Sequence, residues 1–388
     1  MNILFITHDA SRSGAPILLR NFMGWMKRNT NHEFQLLCRV GGSLESDFKS
    51  HADVKYFYPK HLNNPKTVLQ RIINRIGYYK YRIKKHHRDL FLHYKKQDFD
   101  LIYSNTVVNT DVLVVLKKLD VPVLTHVREL ESTIEHFGGK YLIRELDKYT
   151  DKFVADSYAV KKNLVDQHNV VDKKIDVIYE YVEVPEKLPD TEITSTLKSK
   201  LEIPEDAFIV GASGGGLWRK GYDLFIQAAV AICNKEGNEN VYFLWVGGFK
   251  EDKEAEIRFD IHKAGLKDRI LFVGSQKKPL DYFSLFDVFV LASREEPFGI
   301  VGMESALFET PIICFNNSGG MPEFITEECG IAVPYLNIPK LVEAILFFKH
   351  NPKLREQYGR NAKNKVLTQH TLEVKSKELL KIMENQLW

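Results

Sequence analysis

Residues 287–315 read DVFVLASREEPFGIVGMESALFETPIICF. The run DVFVLAS has the β-branched, apolar texture of a buried strand, and REEPFG carries the proline and glycine of a loop. Gly299–Phe308 has helical spacing, and TPIICF is a second strand. Strand, loop, helix and strand in that order call for a parallel sheet covered by helices.

Working outward, the same alternation fills the chain. Downstream comes CGIAVPY; upstream come FIVGA, VYFLWVG and ILFVG. Nearer the start, NILFIT, FQLLCRV, VKYFY, LIYSN, VPVLTHV, KFVAD and IDVIY read as strands, with helical patterns such as Pro16–Arg28 and Asp111–Leu119 between them. Between the two sets, EVPEKLPDTEITSTLKSKLEIPED is rich in Pro, Thr, Ser and charge and reads as a linker. The prediction is two doubly wound α/β domains: residues 1–183, a linker at 184–206, and residues 207–369. A last helical pattern, His370–Trp388, follows the completed second sheet. Ligands of open α/β sheets sit outside the carboxyl ends of the strands, so the chemistry is expected in the loops there, in a cleft between two facing domains.

A length of 388 residues suits two such domains. Cys38, Cys233, Cys314 and Cys329 are far apart and form no CxxC pair, which favours a reducing compartment with the thiols as small core residues. The start reads as a buried strand and a turn, not a signal peptide, and no apolar run is long enough to span a bilayer. The net charge of +3 hides an asymmetry: Lys60–Lys96 holds eleven Lys/Arg against Asp89 alone, leaving the rest of the chain at −7. That pattern favours an anionic partner at one place.

Within the opening stretch, Glu296 stands in the loop and Glu304 about one turn inside the helix. Between them the amides near Gly299, Ile300 and Val301 form a helix N-terminus suited to an anion. A carboxylate can accept two hydrogen bonds from a vicinal diol. The spacing allows two diol-binding acids around a phosphate site; it equally allows Glu296 to be a cap and Glu304 a solvated helix residue. In GASGGGLWRKGYDLF, Gly214, Gly215 and Gly216 permit close backbone approach, and Arg219 and Lys220 follow. Two cations over a glycine loop suit a diphosphate leaving group, although a surface basic pair has the same spacing. The sequence is neither GxxxxGK[ST] nor GxGxxG. Gly14, before a helix expected from Pro16, is compatible with a phosphate loop or a plain turn. His126, ending VPVLTHV, is placed to hydrogen-bond sugar hydroxyls or to be structural. Asp98-Phe99-Asp100 looks like a metal motif but precedes its strand, at the wrong end of the sheet, and no metal site is expected.

As a set, the Gly14 loop, His126, RKG after a glycine loop, E-P-F-G-x4-E and SGGMPE resemble the GT4 family of retaining glycosyltransferases, with the GT-B fold of two Rossmann-like domains. The likeness covers nearly the whole chain and is densest from Gly211 to Glu323. It implies that Glu296, with amides near Phe298 and Gly299, holds donor-sugar hydroxyls, that Ile300 and Val301 amides hold phosphate, and that Glu304 holds the ribose diol. Arg219 and Lys220 would stabilise the departing diphosphate beside the Gly215–Gly216 loop, and His126 would contact the donor sugar. It also implies no cofactor and no metal, and a final helix, 370–388, crossing back to the first domain. Three departures stand out: Ser13-Gly14-Ala15-Pro16 has one glycine where two are usual, Glu309 replaces a common glycine, and Glu180-Tyr181-Val182 replaces Asn-Gly-Val.

The expected activity is transfer of a sugar from a nucleoside-diphosphate sugar to a glycan acceptor, lipid-linked polysaccharide or lipopolysaccharide. The alternatives are a non-catalytic GT-B subunit supporting a partner enzyme, or a nucleotide-sugar epimerase. A nucleic-acid partner is not expected, since no recognition module accompanies the basic stretch. In that stretch, Asn64–Lys96, Leu69, Ile72, Ile76, Tyr79 and Ile83 recur at helical spacing among basic residues, and Gly77 could allow a bend. A helix on the first sheet with a solvated basic face fits. So does one that brings Lys80, Arg82, Lys84 and Lys85 to an anionic membrane, which would place the protein in the cytoplasm on the inner membrane face.

Overall fold

The computed structural model describes residues 1–60, 78–326 and 328–386. The chain forms two compact units, Met1–Ile178 with Leu372–Trp388, and Tyr179–Thr371.

The apolar runs become strands, and those at the centre of each sheet are buried on both faces. In the first unit these are β1 (Asn2–Thr7), β2 (Glu33–Cys38), β3 (Asp53–Tyr56), β4 (Leu101–Asn105), β5 (Val123–Val127), β6 (Lys152–Ala155) and β7 (Ile175–Val177). They form one parallel sheet in the order β3-β2-β1-β4-β5-β6-β7. β4 and β5 are buried at every position, so a continuous apolar run, not an alternating one, is their signature. The order in which strands are added changes sense between β1 and β4, which makes that the switch point, where adjacent loops diverge and open a crevice.

The second unit repeats the plan with β8 (Phe208–Ser213), β9 (Val241–Val246), β10 (Ile270–Phe272), β11 (Val288–Leu291), β12 (Ile312–Phe315) and β13 (Gly330–Val333). The order is β10-β9-β8-β11-β12-β13, with the switch point between β8 and β11. The helix Tyr222–Cys233 lays Leu224, Phe225, Ala228 and Ile232 on one face of this sheet. Met303, Ala306 and Leu307 pack on the other with Leu291 and Ile312.

The domain boundaries shift. Residues 179–206 belong to the second unit, and the predicted linker contains the helix Thr191–Lys200. The Asp190 side chain caps it by accepting from Ile193 N at 3.2 Å, and Leu197 and Leu201 pack on the second core. The last helix, Leu372–Asn385, does join the first unit. Leu379 and Met383 are buried beside Phe5 and Met23, and Trp25 Nε1 donates to Glu373.

The basic stretch is described from Tyr78; Leu69, Ile72, Ile76 and Gly77 lie outside the described residues. The helix Tyr78–Tyr94 turns Leu90 and Tyr94 into the first core and stacks His87 on Phe57, ring centroids 3.7 Å apart. Lys80, Arg82, Lys84 and Lys85 are exposed. All four cysteines are buried and free.

Candidate active site

Arg219 and Lys220 follow β8, and Glu296 follows β11, so the switch point of the second sheet brings together residues 76 positions apart. Lys220 Nζ donates to Glu296 Oε2. Ser293 Oγ donates to the same oxygen at 3.1 Å, and Arg219 Nη1 stands 3.6 Å from it. Among the described residues these contacts all run through Oε2, which leaves Oε1 for a further donor. Burial would push the Glu296 carboxyl up, but Lys220 and then Arg219 outweigh it and hold the group below the usual range. The result is an ionised, oriented carboxylate beside two cations.

Two glycines make this proximity possible. Gly221 has φ +70°, and a Cβ there would lie 1.8 Å from Ala292 O, at the end of β11. Only glycine lets the Arg219–Lys220 turn press so closely on the neighbouring loop, where Arg294 N donates to Arg219 O at 2.7 Å. Gly299 has φ +97° and caps the helix Ile300–Ala306, shorter than the predicted Gly299–Phe308. The Glu296 loop is also tied to SGGMPE: Glu296 N donates to Ser318 O at 2.7 Å and Gly320 N to Glu296 O at 3.2 Å.

The Phe298 ring is core, not site. It is 2 % exposed and stacks between Tyr179 and His370, at 5.0 and 5.5 Å between centroids. Only its main chain can face a ligand. Ile300 and Val301 are half-buried at the helix start, where first-turn amides have no intrahelical acceptor. Glu304 is half-buried, not a solvated helix residue, and burial alone pushes its carboxyl up to about 7. A Cβ on Gly215 would meet nothing, whereas one on Gly216 would strike Phe249 at 2.5 Å. The loop is open at the first and packed at the second.

His126 and Gly14 belong to the first unit. His126 is 3 % exposed at the carboxyl end of β5. Tyr103 Oη hydrogen-bonds its Nδ1, Arg128 Nη2 is 3.2 Å from the same atom, and Asp156 Oδ1 is 2.8 Å from Nε2, off the line a hydrogen bond needs. Burial and then Arg128 push the imidazole down to about 4 against the pull of Asp156, so it is neutral near pH 7. Sequence reading missed Asp156 and Tyr103; the first ends the predicted strand KFVAD, and that position was its only signal. Gly14 is exposed, and a Cβ there would meet nothing. It starts the helix Gly14–Asn29, two residues before the predicted Pro16.

The Asp98-Phe99-Asp100 motif has a structural duty. Asp100 Oδ2 accepts from Asn2 N at 2.7 Å and Asp98 O from Asn2 Nδ2 at 3.0 Å, tying the amino end of β1.

Residues 194–365 match the family described as Glycosyl transferases group 1. The lipopolysaccharide core biosynthesis mannosyltransferase LpsB of Rhizobium meliloti is 28 % identical over 232 residues, 58 % of this chain and 62 % of that protein. The capsular polysaccharide biosynthesis glycosyltransferase CapM of Staphylococcus aureus is 24 % identical over 178 residues, 46 % of each chain. The chain thus spans about half the length of the curated relatives it matches. The crystal structure of Anabaena Alr3699/HepE in complex with UDP superposes with a TM-score of 0.81 at 18 % identity, covering 99 % of this chain and 100 % of that one. At that identity the superposition speaks for the fold. Residues 194–365 are thus similar to the glycosyl transferases group 1 domain, and the chain has the GT-B fold of two Rossmann-like units.

Proposed function

We propose that the protein transfers a sugar, with retention of configuration, from a nucleoside-diphosphate sugar to a glycan acceptor in lipid-linked cell-surface polysaccharide or lipopolysaccharide synthesis. The observation that carries this reading is the cluster of Lys220, Arg219 and Glu296 at the switch point of the second sheet. Glu296 Oε1 accepts from a hydroxyl of the donor sugar while Oε2 keeps Lys220 in place. Lys220 and Arg219 meet the charge that grows on the diphosphate as the glycosidic bond breaks. Ile300 and Val301 amides bind phosphate, and ionised Glu304 accepts both hydroxyls of the ribose diol. The charge is met by side chains and amides, so the reaction needs no divalent metal.

Buried and neutral, His126 can take part in hydrogen bonds but is not a proton carrier near pH 7. The matched relatives act in lipopolysaccharide core and capsule synthesis by their names, which supports a glycan acceptor. Among the described residues no helix is long and apolar enough to cross a membrane. Contact with a lipid-linked acceptor falls to the exposed basic side chains of Lys80, Arg82, Lys84 and Lys85 at the inner membrane face. No observation favours an epimerase or a non-catalytic subunit.

The test is a thermal-shift screen with UDP, GDP, ADP and their sugars, followed by transfer assays with the stabilising donor. A ligand at 100 times its Kd raises stability by about 2.7 kcal/mol. If no nucleotide or nucleotide sugar shifts the melting temperature, the reading fails.

A further inference from the structure

The turn Trp218–Lys220, which carries both cations, is braced from outside itself by Arg294, two positions before Glu296. The Arg294 amide donates to Arg219 O at 2.7 Å, and its side-chain Nη1 donates to Trp218 O at 2.9 Å. Two successive carbonyls of the turn therefore end on one residue. The same guanidinium forks onto Asp223, Nη1 to Oδ1 at 2.8 Å and Nη2 to Oδ2 at 2.7 Å. Asp223 lies in the first turn of the helix Tyr222–Cys233. The guanidinium carbon also sits 4.7 Å from the centre of the Trp218 ring, and Tyr335 Oη donates to Arg294 O at 3.3 Å.

Gly221 lies between the two segments that Arg294 holds. Glycine is the most freely rotating link a chain has, so without a brace the turn could swing against the helix. Arg294 spans that link. As an ion pair it adds little to stability, because the Asp223 side chain is 38 % exposed. Its weight is geometric. A planar fork of donors meets a carboxylate, a carbonyl and a ring face at once, which the single ammonium of a lysine cannot do. The stem of Lys220 passes Gly214, where a Cβ would lie 3.2 Å from its Cδ, and its Nζ ends on Glu296 Oε2. A shift of the turn therefore carries the ammonium with it.

We propose that Arg294, locked by Asp223, is a positioning residue that holds the Trp218–Lys220 turn so that Arg219 and Lys220 are already in place when charge develops on the diphosphate. The proposal rests on the glycosyltransferase reading above and deepens it. Preorganised charge acts mainly on the transition state, and a misplacement of about 1 Å costs on the order of 100-fold.

The test uses Arg294→Lys, Asp223→Asn and the two together in the full chain. The first readout needs no donor: the rate at which N-hydroxysuccinimidyl acetate acetylates Lys220, followed by mass spectrometry, with Lys174, paired to Asp147 in the first unit, as internal reference. Both single variants should acetylate Lys220 several-fold faster and leave Lys174 and the melting temperature as in the parent. The second readout is transfer from the nucleotide sugar that the thermal screen selects. There Arg294→Lys should lower kcat roughly 10- to 100-fold while the donor KM stays within about threefold. The double variant should be little worse than Arg294→Lys, because both changes act through one turn. Unchanged Lys220 acetylation overturns the proposal, and so does parental kcat in Arg294→Lys. A KM that rises as far as kcat falls overturns it too, as uniform binding, and faster acetylation of Lys174 along with Lys220 overturns it by reducing Arg294 to a support of the fold. Failure of the nucleotide screen would sink the glycosyltransferase reading and still leave the acetylation result to decide whether Arg294 fixes the turn.

Discussion

Lys220→Ala is expected to damage both turnover and stability, and the structure separates the two. The Lys220 and Glu296 side chains are 13 % and 11 % exposed and paired. Breaking a buried pair by removing one partner typically costs 3–5 kcal/mol. Here Arg219, at 3.6 Å, and Ser293, at 3.1 Å, still compensate Glu296, so roughly 1–3 kcal/mol is expected. At about 2–4 °C per kcal/mol for a unit of this size, a loss of about 2 kcal/mol lowers the melting temperature by roughly 4–8 °C. Losing a cation that meets developing charge removes a further ~2–4 kcal/mol from the transition state, or roughly 30- to 900-fold in turnover.

The assay pairs thermal melts with donor-dependent transfer in Lys220→Ala and in Lys220→Ala with Glu296→Gln. The second change removes the uncompensated charge, so it should recover most of the melting temperature and none of the turnover. Wild-type turnover in Lys220→Ala would refute the catalytic role. A lowered melting temperature with intact turnover would reduce Lys220 to a support for Glu296. An unchanged melting temperature would deny the pair its structural weight.

Glu304→Gln should raise the KM for donor more than it lowers kcat, because the ribose contact is alike in ground and transition states; the reverse split would move Glu304 out of that site. Glu304 must be ionised to accept from the diol, so donor affinity should rise as pH rises through about 7, and Glu304→Gln should flatten that profile. The sign for stability is opposite: the folded chain keeps a proton that the unfolded chain has lost between 4.5 and about 7, so this group makes stability fall as pH rises across that window in melts of wild type against Glu304→Gln. Activity should survive EDTA without added divalent ions; loss restored by Mg²⁺ or Mn²⁺ would contradict the metal-free reading. The protein should sediment with anionic vesicles at low salt and less so at high salt, and Lys80, Arg82, Lys84 and Lys85 changed together to Gln should abolish this, at about 1 kcal/mol per basic residue; wild type that ignores such vesicles refutes the membrane contact.

The strands were legible because burial on both faces leaves a continuous apolar run, a signal carried by the residues of the strand alone. All thirteen expected runs became strands, most with an end shifted by a residue or two. The helix Thr191–Lys200 was hidden by its Thr and Ser content, which lowers helix propensity, although Asp190 was a readable cap. What local reading cannot supply is a partner far away in the chain. Lys220 looked like an exposed loop residue because Glu296 is 76 positions off, and His126 looked isolated because Asp156 is 30 positions on. Glu309 shows the same limit from the other side. It stood out as a residue where glycine is common, and its φ of +59° is the reason, since that conformation costs a side-chain-bearing residue about 1 kcal/mol. Lys363 Nζ donates to its carboxylate at 2.9 Å, an ion pair that offsets part of the strain. The departure therefore belongs to packing. Glu309 lies beyond the helix that carries Glu304 and has no contact with Glu296 or Lys220 among those described, so the substitution leaves the chemistry of the switch point as it was.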